Sequence, residues 1–78
     1  MNAYFFTFGV GYNLADAYVI VFAESELAAR EYFIDAREAA GLNPRKGWAS
    51  VYTEAQFNTL REPPTRQVPV DAPAVGRD

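Results

Sequence analysis

The chain has 78 residues, enough for one small domain, and its formal net charge at pH 7 is −3. It contains no histidine and no cysteine, which excludes imidazole bases, thiolate nucleophiles, disulfides and the usual zinc sites. Hydrophobic residues make up 50% of the chain and aromatic residues 15%, which is the composition of a folded protein. We therefore expect a binding protein, not an enzyme, with no metal and no cofactor.

The first residues of the chain and its hydropathy pattern predict where in the cell the protein is found. Residues 1–4 lack the basic start of a secretory signal peptide. No apolar run approaches the length of a membrane-spanning helix. These features favour a cytoplasmic protein without a membrane partner.

Two strands are predicted in the first third of the chain. Residues 3–9 are rich in aromatic side chains, with Tyr4, Phe6 and Phe8 on one face. Residues 18–23 are apolar on both faces, which indicates that both faces are covered. Turn-forming residues at 11–16 predict a hairpin loop between the strands.

A long helix is predicted after the second strand, with Ser25 as its N-cap, Gly41 at its C′ position and an end near Ala40. Steps of 100° per residue divide its side chains into two groups. The predicted core stripe consists of Ala28, Ala29, Tyr32, Phe33, Ala36, Ala39 and Ala40. The predicted solvent-exposed side carries Arg30, Glu31, Asp35, Arg37 and Glu38.

A third strand is predicted over residues 48–52, followed by a short helix that begins with the capping box Thr53-x-x-Gln56 and ends near Leu60. From Pro63 the chain is rich in proline and has no helical period. This change predicts a single α+β domain at residues 1–62 and an extended or mobile tail at residues 63–78.

The element order β-β-α-β-α, with a right-handed crossover, predicts a three-stranded antiparallel sheet of order 2-1-3 with the long helix on one face. Apolar residues occur on both faces of the sheet, but only one long helix is available to cover them. The second face therefore needs the short helix and part of the tail, or a second copy of the chain, to cover it.

Three patterns that resemble functional sites have simpler explanations. The carboxylates Glu31, Asp35 and Glu38 are interleaved with arginines, which favours a solvated helix face over an acid–base pair or a magnesium site. The segment 9–11 (Gly-Val-Gly) precedes a strand and not a helix, so it favours a hairpin turn over a phosphate-binding loop. The aromatic first strand lacks nearby basic residues, so core packing explains it better than base stacking, and we expect no direct nucleic-acid binding.

The pair Leu27 and Ile34 conflicts with a helix that has one buried stripe. The two residues are seven apart, so they lie together on the charged side of the helix. They are either scattered surface residues shielded by charged stems or the apolar centre of a contact site with a charged rim. The predicted partner-binding residues are Tyr12, Asp16, Glu24, Glu26, Leu27, Glu31, Ile34, Asp35 and Glu38.

Four segments together resemble a family of short, mostly uncharacterised proteins of bacteriophages and mobile elements. They are residues 6–9 (Phe-Thr-Phe-Gly), residues 18–21 with Ala23, the pair Ala29-Arg30, and residues 47–49 (Gly-Trp-Ala) with Tyr52. The resemblance covers residues 4–52 and by itself implies no activity.

Many small, acidic, non-catalytic phage proteins are anti-CRISPR proteins. The phage association of the family, and not the family itself, therefore favours an inhibitor that acts in a bacterial host cell on a defence complex, in its most specific form by binding a Cas effector subunit. Its acidic surface would act as a DNA mimic and block nucleic-acid access. The alternative function is that of a small homodimeric structural or assembly protein of a phage or mobile element.

Overall fold

The computed structural model describes residues 1–8, 16–41 and 50–71. The elements in these ranges are β1 (Asn2–Thr7), β2 (Ala17–Ala23), α1 (Glu26–Ala39), β3 (Ser50–Thr53), α2 (Glu54–Phe57) and β4 (Arg66–Gln67). The α+β class is the predicted one. Tyr12, residues 11–15 of the predicted hairpin loop and residues 48–49 of the predicted third strand lie outside the described residues.

The sheet has the strand order β3-β1-β2-β4. Strand β1 is antiparallel to both β2 and β3, as predicted, whereas β4 is parallel to β2. The prediction of a three-stranded, purely antiparallel sheet is therefore wrong in detail. The tail supplies the fourth strand because its prolines flank residues 65–68, which leaves the backbone N–H groups of Arg66 and Val68 free to donate to Asp16 and Tyr18.

The hydrophobic core lies between α1 and one face of the sheet. Phe6 and Phe33 are both fully buried, and their rings stack with a centroid distance of 4.5 Å. An aromatic pair of this kind adds about 0.5–1.5 kcal/mol to the free energy gained from burial. The other buried residues of this cluster are Tyr4, Phe8, Ala17, Val19, Val21, Ala23 and Ala29.

Helix α2 covers part of the opposite face of the sheet. The ring of Phe57 lies 4.4 Å from that of Phe5 and 5.0 Å from that of Tyr18, measured between centroids. The predicted capping box is present, because Thr53 and Gln56 bond each other's backbone N–H. Val68 and Val70 of the tail pack against the core cluster on the α1 side.

The predicted core stripe of α1 is partly wrong. Ala29 and Phe33 are buried, but Tyr32 is 57% exposed, and Ala39 and Ala40 are also exposed. The helix is rotated by roughly 70° from the predicted orientation, so that Phe33 and not the alanine-rich side points at the sheet. The predicted caps are correct: Ser25 Oγ accepts a hydrogen bond from the N–H of Ala28, and Gly41 has a φ of +79°.

The rotation also buries Arg37, which the sequence placed in solvent. Arg37 is 1% exposed, its Nη1 donates to the carbonyl of Val70 at 3.0 Å, and its guanidinium lies 5.4 Å from the centroid of the Phe33 ring. Burial lowers the pKa of Arg37, while the Asp71 carboxylate acts in the opposite direction. The side chain can be buried because the tail supplies an acceptor for it.

The rotation of α1 can be tested by comparing adjacent aromatic residues. We expect Phe33→Ala to lower the free energy of unfolding by about 3–5 kcal/mol, because it leaves a cavity beside Phe6. Tyr32→Ala should change it by less than about 0.5 kcal/mol, because Tyr32 is largely exposed. Urea unfolding measures both values. Equal losses for the two variants would place Tyr32 in the core and contradict the observed rotation.

The contact between Arg37 and the tail can be tested against a second arginine of α1. Arg37→Met removes the donor to the Val70 carbonyl and should cost about 1–3 kcal/mol. Arg30→Met removes only an exposed ion pair with Glu26 and should cost about 0.3–0.5 kcal/mol. Hydrogen exchange supplies a second readout: the amide of Val68, which bonds the Tyr18 carbonyl at 2.9 Å, should lose protection only in Arg37→Met. Unchanged protection in that variant would show that Arg37 does not hold the tail.

Candidate functional site

The charged side of α1 faces away from the sheet. Because Phe33 points at β1, helical geometry places Glu31 and Asp35 on the opposite side, with Glu38 beside them. All three residues are exposed. Within the described ranges, none of these three carboxylates takes part in an ion pair. The outer side of α1 therefore carries negative charge that no basic residue of the described ranges offsets through an ion pair.

Leu27 lies among these carboxylates. It is 66% exposed, and it neighbours Glu31 and Ile34 at spacings of four and seven residues. Ile34 is half-buried. An exposed leucine beside a partly accessible isoleucine forms a small apolar centre in an acidic surround. We refer to Leu27, Glu31, Ile34, Asp35 and Glu38 as the outer-helix surface.

The remaining predicted site residues lie outside the outer-helix surface, and two of them form ion pairs. Glu24 is exposed next to the N-cap and has no ion pair within the described residues. Glu26 forms an ion pair with Arg30 one turn along α1. Asp16 forms an ion pair with Arg66 at the other end of β2. The charges of Glu26 and Asp16 are therefore offset locally, and Tyr12 lies outside the described residues.

Asp16 anchors the start of β4. Its Oδ1 accepts a hydrogen bond from Arg66 Nη2 at 2.8 Å, and its backbone carbonyl accepts from the N–H groups of Thr65 and Arg66, both at 3.1 Å. The hydrogen bond from Arg66 lowers the pKa of the Asp16 carboxyl, and the positive charge acts in the same direction. The geometry of Asp16 therefore serves the attachment of the tail.

Two exposed aromatic residues were not among the predicted site residues. Tyr32 was assigned to the core, and Phe22 was placed in a strand covered on both faces, yet Phe22 is 65% exposed. The sequence signal for exposed aromatic residues was that apolar residues occur on both faces of the sheet, whereas one long helix can cover only one face. It could not show which strand position stays uncovered, because that depends on where α2 lies.

Two open clefts on the surface lie between described residues. One, of about 390 Å³, lies beside Phe22 between the start of β1 and the start of α2. The other, of about 260 Å³, lies between Tyr52, Leu60 and Pro64.

In the described part of the chain, no three acidic side chains are placed so that they could hold a metal ion together. No helix within residues 1–8, 16–41 and 50–71 has the length and apolarity required to cross a membrane.

Comparison with protein-family models, with curated proteins and with solved structures finds no match to this chain.

The ion pair of Asp16 predicts a pH dependence of stability. Because the folded-state pKa is lowered, the pair stabilises the fold above the ordinary carboxyl pKa of about 3.9 and is lost as the pH falls through the lower folded value. The urea midpoint of Asp16→Asn should therefore lie below that of the wild type at neutral pH, and the two should converge in acid. The matched control is Asp35→Asn, which removes an exposed carboxylate that has no ion pair with a described residue, and it should cause no loss at neutral pH. A difference for Asp16→Asn that persists unchanged into acid would contradict this assignment.

Proposed function

We propose that this chain is a non-enzymatic binding protein whose outer-helix surface docks on a basic surface of another protein. In its most specific form it is a phage-type inhibitor, an anti-CRISPR protein, that occupies part of the nucleic-acid channel of a CRISPR effector complex. The observation that carries the proposal is the exposure of Leu27 among carboxylates that have no ion pair within the described residues.

Leu27 and Ile34, the apolar centre of the outer-helix surface, support docking because their burial against a partner would lower the free energy of the complex. Full burial of a leucine side chain is worth about 1.5–3 kcal/mol relative to exposure, and two thirds of Leu27 is still exposed in the free chain. The partly accessible Ile34 next to it extends the same centre. Protein interfaces commonly combine an apolar centre with a polar or charged rim.

The carboxylates Glu31, Asp35 and Glu38, which form the rim around this apolar centre, favour a partner with positive charge. Glu31, Asp35 and Glu38 are exposed on a chain of net charge −3, so the approach of a basic surface is favoured over long range. Surfaces that grip DNA or RNA are basic because phosphate contacts dominate their affinity. Carboxylates on α1 could take the positions of phosphate oxygens on such a surface and exclude the nucleic acid from it.

The helix is also suitable as a rigid platform. Helix α1 has 14 residues, a capped N-terminus and a side chain, Phe33, that is locked into the core. Its carboxylates are therefore displayed on an ordered backbone before any partner arrives. Preorganisation of this kind reduces the entropy lost on binding.

The basic residues of the described chain argue against direct nucleic-acid binding. Arg37 is buried, Arg30 is paired with Glu26, and Arg66 is paired with Asp16. Arg61, the fourth arginine of the described residues, is exposed, and one such side chain does not form a basic face. A gel shift of DNA or RNA at low salt should accordingly detect no complex with this chain alone.

The proposal can be tested by DNA binding of purified, guide-loaded CRISPR effector complexes in the presence of the chain. The wild type should abolish the shift of target DNA by a sensitive effector. The double variant E31K/D35K should weaken inhibition at least about tenfold, because it reverses the charge of the rim. Leu27→Lys should have a similar effect. Higher salt should weaken the wild-type complex, because its charges are exposed to solvent.

The matched control is E54K/E62K, which changes the net charge by the same amount on exposed positions away from α1. It should inhibit as well as the wild type, and circular dichroism should show that all variants stay folded. Equal inhibition by E31K/D35K and by the control would exclude the outer-helix surface as the contact. Failure of the wild type to inhibit any effector in a panel of all known types would exclude the anti-CRISPR form of the proposal.

A further inference from the structure

The face of the sheet opposite α1 has an uncovered apolar area. Phe22 is 65% exposed, and the register places it next to Ala3, while Ile20 lies next to Phe5. Ala3 and Ile20 are half-buried, and Met1 is exposed at the same end of the sheet. Phe57 covers Phe5 but leaves Phe22 open. We refer to Met1, Ala3, Ile20 and Phe22 as the open sheet patch.

The charge distribution favours a second copy of the chain as the occupant of this patch. Neither β1 nor β2 contains a charged residue, and among the described residues Glu54 is the one charged side chain that lines the adjoining cleft, so a strongly charged partner would find little to pair with there. Glu31, Asp35 and Glu38, which form no ion pair with another described residue, lie on the other side of the sheet, because α1 packs on the opposite face. Two copies joined through the patch would therefore keep their acidic helices apart, although each copy carries a net charge of −3.

The patch also places an exposed aromatic ring directly beside a cleft. The cleft of about 390 Å³ adjoins Phe22, and its lining combines the apolar residues Met1, Ala3 and Ala55 with the polar residues Asn2, Thr53 and Glu54. In a two-fold dimer, each surface meets an identical surface, so a protruding group beside a cleft finds a matching cleft on the other copy. The exposed ring of Phe22 is such a group. Complete burial of an aromatic side chain removes about 150–250 Å² from water, and 65% of Phe22 is still exposed in the free chain.

We propose that two copies of this chain associate through the open sheet patch, with Phe22 of each copy entering the cleft of the other. This inference does not rest on the proposed function, because it uses the opposite side of the molecule. A standard interface takes about 800 Å² from each partner, a substantial share of the 5029 Å² accessible surface of this chain. The patch is small by that standard, so the dimer should dissociate in the micromolar range and its population should depend on concentration.

Sedimentation velocity of the full chain, from about 1 μM to about 1 mM, tests the proposal. The wild type should change from monomer to dimer over this range. Phe22→Asp should raise the dissociation constant at least about tenfold, because it places a charge in an apolar contact. Phe22→Thr keeps a good strand former and should also weaken the dimer, which guards against a folding defect in the first variant.

The matched control is Leu27→Asp. Leu27 and Phe22 are equally exposed, at 66% and 65%, but they lie on opposite sides of the sheet. Leu27→Asp should therefore dimerise like the wild type. A wild-type monomer throughout the range, a dimer unaffected in both Phe22 variants, or a dimer lost only in Leu27→Asp would overturn the proposal. Because partner inhibition is tested through Glu31 and Asp35, failure of either proposal leaves the other standing.

Discussion

The stack of Phe33 on Phe6 determines how α1 lies on the sheet, and most of the structure depends on it. Both rings are fully buried at a centroid distance of 4.5 Å, in the middle of a core that has few other large side chains from the helix. A helix of 14 residues has little other apolar surface to bury, since its remaining inward side chains are mainly alanines. Once Phe33 points at β1, the direction of every other side chain of α1 follows from the 100° step.

One consequence of this orientation is the attachment of the tail. Arg37 is one helical turn beyond Phe33 and therefore points inward, where an unsatisfied guanidinium would be costly. The tail removes part of this cost, because Val70 supplies a carbonyl acceptor and Val68 and Val70 add apolar cover. Asp16 holds the start of the same segment through its backbone and side chain. A domain this small buries only about 60% of its unfolded surface, so residues 65–71 are a substantial part of its fold.

The same orientation separates two surfaces of different character. The outer-helix surface is acidic with an apolar centre, whereas the open sheet patch has no charged side chain, and α1 and the sheet lie between the two surfaces. The two proposals are independent, but they are geometrically compatible. A dimer joined through Phe22 would present two acidic helices on opposite sides. Binding to a partner with two basic sites would then gain avidity without any new contact, provided that the spacing matched.

The sequence by itself determined the α+β class, the order of the first three strands, the caps of both helices and the glycine that ends α1. These features depend on alternation, capping side chains and backbone preferences, which act between residues a few positions apart. It also identified Leu27 among carboxylates as an anomaly of the helix pattern. Only the tertiary structure decided the rotation of α1, the burial of Arg37, the fourth strand and the exposure of Phe22. Each of these features depends on contacts between residues distant in sequence. Arg37 and Val70 are 33 residues apart, and Asp16 and Arg66 are 50 residues apart. Local sequence patterns carry no information about which distant segment will supply such a partner.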